Sequence, residues 1–126
     1  MVYRFIIDEK LPSLNDYIFV CRANRFGANQ MKRNIENAIN KYTDHIPFIN
    51  NPVYISFLWI DANRRRDLDN IAFAKKFILD ALQKKGILKN DNRECVIGFS
   101  DNFALGKDYK IIVELRERPR KAFGYF

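Results

Sequence analysis

Residues 53–60, Val-Tyr-Ile-Ser-Phe-Leu-Trp-Ile, limit the fold more than any other segment. The run is dense in β-branched and aromatic side chains and lies between turn-forming Asn50-Asn51-Pro52 and polar Asp61-Ala62-Asn63. It is far too short to span a bilayer and reads as a central strand of a sheet. A central strand needs helices to cover it, and the flanking sequence supplies them. Residues 28–46 place Ala28, Met31, Ile35, Ala38, Ile39, Tyr42 and Ile46 at helical spacing, with Lys32, Arg33, Glu36, Asn37, Asn40 and Lys41 on the other side. That helix is expected to end before Pro47. A second helix is predicted over residues 69–85, with Ile71, Ala74, Phe77, Ile78, Ala81 and Leu82 inward and Gly86 as its stop.

Three further strands are expected, over residues 2–8, 95–101 and 109–116. Residues 11–15 read as a loop, residues 102–108, with Gly106 and Lys107, as a hairpin loop, and residues 117–126 as a loosely ordered tail. The order β-α-β-α-β-β predicts one α/β domain, residues 1–126, built on a single mixed sheet.

Charge narrows the partner. The chain carries a formal net charge of +7 and a pI near 9.5, a balance that favours nucleic acid or another polyanion. Cys21 and Cys95 are isolated, and the single histidine, His45, is far from both in sequence, so zinc is a poor reading and reduced thiols are expected. Residues 1–8 lack the basic start and small-residue cleavage site of a signal peptide, and a cytoplasmic, membrane-free protein is expected.

The chemistry concentrates in Arg64-Arg65-Arg66-Asp67-Leu68-Asp69-Asn70, where the central strand hands over to the second helix. Crevices at strand ends are the usual ligand positions of α/β sheets. Asp67 and Asp69 have the spacing to reach one hard cation if residue 67 is still extended, and Mg²⁺ binds through one or two carboxylates plus water and phosphate. The same residues could instead cap and orient the helix. Arg64, Arg65 and Arg66 suit the role of phosphate clamps, and Lys32 would extend the basic surface. Asp91, in the Asn90-Asp91-Asn92 turn after the second helix, is a third candidate acid, with Glu94 a weaker one. Lys76 lies almost above Asp69 on one helix face, about 10 Å along the axis. Its side chain is expected to lean back toward the acids. Asp80, roughly 16 Å from Asp69, is expected to pair with Lys76 or Lys84 instead of joining a metal site.

Arg65-Arg66-Asp67-Leu68-Asp69-Asn70, then Asp80-Ala81-Leu82 and Gly86-Ile87-Leu88-Lys89-Asn90-Asp91, resemble the RusA family of Holliday junction resolvases. Pro12-Ser13-Leu14-Asn15 is similar to that family's N-terminal Pro-x-Ser-x-Asn element. The resemblance implies a dimeric, Mg²⁺-dependent endonuclease, with Mn²⁺ able to substitute, that nicks four-way DNA junctions symmetrically in recombination and repair. Family members are often encoded by phages and prophages. It implies Asp67, Asp69 and Asp91 as metal-binding catalytic acids, and Asn15 and Asn70 as DNA contacts beside the arginines. Two positions depart from the family pattern: Asn90 replaces the first of two adjacent acids, and Phe73 stands where the family has a functional lysine, whose role falls to Lys76. The N-terminal strand is the expected dimer surface. Two alternatives stay open: a non-catalytic DNA-binding protein, and a nuclease acting on flaps or forks.

Overall fold

Four strands form one mixed sheet in the order β1-β4-β2-β3. They are Val2–Ile7 (β1), Val53–Asp61 (β2), Val96–Leu105 (β3) and Lys110–Glu117 (β4). The computed structural model describes residues 1–118. Of the tail expected at 117–126, Glu117 and Arg118 are held by backbone bonds to Met1 O (3.0 Å) and Pro52 O (2.7 Å), and the rest lies outside the described residues. Between the strands run Leu14–Ala23 (α1), Arg25–Tyr42 (α2), Leu68–Ala72 (α3) and Lys75–Lys84 (α4). The chain is thus a single α/β domain in the expected order, with each helical segment divided in two.

The sheet is covered on one face. Along β2 every odd position is buried and every even one half-buried. In register with Phe57 lie Val113 on β4 and Phe5 on β1, all buried. Phe57 and Trp59 stack at 5.2 Å between centroids, and each such buried ring contributes about 1.5–3 kcal/mol of hydrophobic stabilisation. The helices supply Ile35, Ile39, Phe77, Ile78 and Leu82 to this same core.

β2 is central, as its composition predicts, lying between β4 and β3. β3 and β4, however, do not form a hairpin: β2 lies between them, antiparallel to β4 and parallel to β3. The connection therefore crosses the end of β2. Gly106 makes that crossing possible, since a Cβ there would sit 2.7 Å from Ile60 Cγ2, and its N–H donates to Asp61 O at 3.0 Å. β1, β2 and β3 all run in the same direction, so their C-terminal ends share one end of the sheet.

The segment read as a loop at residues 11–15 instead opens a helix. Ser13 caps α1 through a reciprocal pair, Ser13 Oγ accepting from Asp16 N (3.2 Å) and Asp16 Oδ2 accepting from Ser13 N (3.0 Å). Asn24 then ends α1 and caps α2, its Oδ1 accepting from Phe26 N at 2.9 Å. The second predicted helix is interrupted at Phe73–Ala74. The backbone stays right-handed there, but Ala74 N and Lys76 N bond three residues back, to Ile71 O and Phe73 O. This tighter 3₁₀-type step changes the helical phase between Asp69 and Lys76. α4 stops as predicted: Gly86 takes φ +82°, with Ile87 N on Leu82 O and Gly86 N on Gln83 O, a Schellman ending.

Candidate functional site

The site is assembled at the C-terminal ends of β1 and β2. The loop leaving β1 meets the loop leaving β2 through one side chain, Arg66. Its Nε and Nη2 donate to the two carboxylate oxygens of Asp61 at 2.9 and 2.7 Å. Its Nη1 donates to Leu11 O at 3.0 Å. Its guanidinium also lies 5.5 Å from the Tyr109 ring centroid, with Lys10 at 4.8 Å from the same ring. Asn63 closes the loop, donating to Tyr109 Oη (3.1 Å) and accepting from Arg65 N (3.0 Å). A planar fork that grips a carboxylate bidentately while reaching a carbonyl is what guanidinium geometry allows. Arg66 therefore differs from the phosphate clamp its position in the arginine run suggested: it is largely buried and committed within the fold. The polar Asp61, closing an otherwise apolar strand, was the signal in the sequence for this partner.

Arg64 and Arg65 behave differently. Both are exposed, and neither side chain has an acidic partner among the described residues. They project from the loop that Arg66 fixes.

Asp67 precedes α3 with extended backbone (φ −72°, ψ 153°) and makes no side-chain cap bond. The extended conformation needed at residue 67 is present, but helix begins at Leu68, so Asp69 already lies in the first turn of α3. Both carboxylates are exposed and free of hydrogen-bond or ion-pair partners among the described residues. Capping, the competing structural role for Asp67, is thus not exercised. Asn70 follows, half-buried on α3, and Asn15 is exposed in the first turn of α1.

Asp91 is placed otherwise. Its turn is built by neighbours: Asn90 Oδ1 accepts from Asp91 N and Asn92 N, and Asn92 Oδ1 accepts from Glu94 N and Cys95 N. The Asp91 carboxylate faces Lys76 at 3.8 Å, and Lys76 also bonds Asp80 at 3.2 Å. Lys76 thus reaches along α4 to Asp80 and across to Asp91, not back toward Asp69, and Asp80 is its i+4 partner. Among the described residues no three His, Cys, Asp or Glu side chains are placed to hold one ion together. The expected triad of Asp67, Asp69 and Asp91 is accordingly resolved into two parts, a free pair at α3 and a third acid tied to Lys76. As unengaged hard oxygen donors at a solvent-open strand end, Asp67 and Asp69 suit Mg²⁺ by their chemistry.

Phe73, at the family's lysine position, is a packing residue. Its ring contacts Tyr17 of α1 at 5.6 Å and Phe77 of α4 at 5.5 Å, and Tyr17 meets Phe77 at 5.4 Å. This trio holds α1 against the α3–α4 segment. Lys75, one residue past the 3₁₀ step, points to the sheet: it bonds Asp101 at 2.6 Å beneath the Phe57 and Phe99 rings, while Asp101 also accepts from Trp59 Nε1 at 2.9 Å. Lys32 is half-buried on α2, beside Arg33 and the Lys84–Glu36 ion pair, over a surface hollow of about 420 Å³. Among the described residues no helix is long and apolar enough to cross a membrane. No protein-family model matches the chain, and no curated protein matches it.

Proposed function

We propose that this chain is a Mg²⁺-dependent endodeoxyribonuclease that cuts four-way DNA junctions as a two-fold dimer, as its likeness to the RusA family implies. The observation that carries the reading is the free carboxylate pair Asp67 and Asp69 beside the unpartnered Arg64 and Arg65 at a strand end, on a chain of net charge +7. Asp67 and Asp69 would hold the ion, with Mn²⁺ as substitute. Bound there, it would lower the pKa of a water and neutralise charge growing on the scissile phosphate. Arg64 and Arg65 grip flanking phosphates, and Arg66 keeps their loop in place from below. Asn15, Asn70 and Lys32 would add contacts to the DNA, and Lys76 would do so only by leaving Asp80 and Asp91. Paired cuts call for paired sites, and the outer edge of β1, where Val2 and Ile6 are exposed and His45 engages Arg4 O, supports a contact between two copies there.

One observation favours a second reading, a DNA-binding protein without catalysis: Asp91 is paired with Lys76 and no three-acid group exists among the described residues. Synthetic four-way, flap and linear duplexes, each incubated with protein in Mg²⁺ or in chelator, separate the readings. Mg²⁺-dependent nicking of the four-way substrate alone supports the resolvase. Equal nicking of flaps or forks supports the broader nuclease. Salt-sensitive binding with no nicking of any substrate leaves the non-catalytic protein.

A further inference from the structure

We infer that a cleft beside the acid pair receives a single unpaired nucleobase. The inference rests on the DNA-processing reading above. The helical layer covers β2 but reaches β3 only through Lys75, which lies over Phe99 and bonds Asp101, and it leaves the C-terminal end of β3 open. Phe57 on β2 is 1% exposed, whereas Phe99 and Leu105, on the same face of β3, are 40% and 52% exposed. The overhang of β3 and the start of α3 bound a cleft of about 550 Å³, within the roughly 300–1,000 Å³ of small-molecule sites.

Its floor is aromatic: Trp59 and Phe103 are register partners on adjacent parallel strands. Its lips are Leu68 and Leu105, 56% and 52% exposed. Its lining also includes Arg64 and Asp67, both exposed, together with Asn63 and the Asp61–Arg66 pair. A flat ring with apolar faces and a polar edge matches that distribution: faces against leucine and phenylalanine, edge toward Asp67, attached phosphate toward Arg64, which has no acidic partner among the described residues. Stacking of this kind tolerates any base sequence. The position next to Asp67 puts the accepted nucleotide adjacent to the proposed cutting point, where strands exchange and bases lose their partners.

Trp59 is the single tryptophan of the chain and forms the cleft floor, so its fluorescence reports occupancy. A short single-stranded oligothymidylate is titrated into the full-length protein in chelator, which keeps the readout independent of nicking. Saturable quenching is expected, weakened ~10-fold in Leu105→Glu and in Leu68→Glu. Both sites are exposed, and an unchanged melting temperature confirms that each variant folds. No quenching, or quenching unaltered in both variants, overturns the inference. A wild-type protein that ignores the oligonucleotide but falls from dimer to monomer in Leu105→Glu by light scattering also overturns it, assigning the face to a second copy. Quenching without junction nicking refutes the nuclease alone; nicking without quenching refutes the base cleft alone.

Discussion

Replacing Arg66 with methionine tests the claim that this arginine is a structural staple and not a DNA contact. In the wild-type fold its side chain is 15% exposed and that of Asp61 6% exposed, with two bonds of 2.7 and 2.9 Å between them. Methionine keeps much of the apolar stem but strands the Asp61 carboxylate, which has no other donor among the described residues, and frees the Leu11 carbonyl. Breaking a buried pair from one side costs about 3–5 kcal/mol, a large part of the roughly 5–15 kcal/mol that holds a domain folded. Urea unfolding followed by Trp59 fluorescence reads this directly. With a slope of about 1–3 kcal/mol/M, the midpoint falls by about 1 M or more. The double variant Asp61→Leu with Arg66→Met regains most of the loss, because no unpaired charge remains buried. Arg64→Met and Arg65→Met, both exposed, stay within about 0.5 kcal/mol of wild type. A loss below about 1 kcal/mol for Arg66→Met, or equal losses for all three arginines, would refute the reasoning.

Ser13→Ala removes the Oγ that accepts from Asp16 N at the start of α1, leaving the Ser13 N to Asp16 Oδ2 bond in place, and is expected to lower stability by about 1 kcal/mol in the same assay. Gly86→Ala forces a side chain into φ +82° and costs about 1–2 kcal/mol, although open space surrounds the position. The phenol of Tyr42, donating to Glu9 at 2.8 Å, is held above its ordinary value first by that bond and then by burial. A raised folded value means that the stability it contributes is intact below about pH 10 and is lost as pH climbs through the folded value. Tyr42→Phe should flatten that alkaline decline in thermal melts.

The layout of this fold was legible in the sequence where the signal is local. The apolar density of residues 53–60 marks the central strand, and Gly86 after two lysines marks the end of α4. α1 escaped because none of its residues is fully buried, so no apolar stripe announces it, and because its capping box uses aspartate at the third position. The strand order escaped for a different reason. A short Gly-containing link between two strands looks like a hairpin, yet pairing is decided by which faces are buried, and β2 takes the place between β3 and β4. At the site, the free Asp67–Asp69 pair follows from its position after a strand. The fates of Arg66 and Lys76 follow only in part: Asp61 and Asp80 lie close along the chain, whereas Leu11 O and Asp91 are brought near only by the assembled fold. The 3₁₀ step at Phe73–Ala74 compounds this, because helical phase read through an unbroken helix no longer applies beyond it.

Cleavage of a labelled four-way junction by Asp69→Asn, set beside its binding to that junction, is the sharpest test of the proposed chemistry. The acid pair as the ion-holding centre predicts that nicking in Mg²⁺ falls by about 100-fold or more, a loss of roughly 2.7 kcal/mol of transition-state stabilisation, while junction affinity holds. An Asp69→Asn protein that cuts as fast as wild type would contradict it.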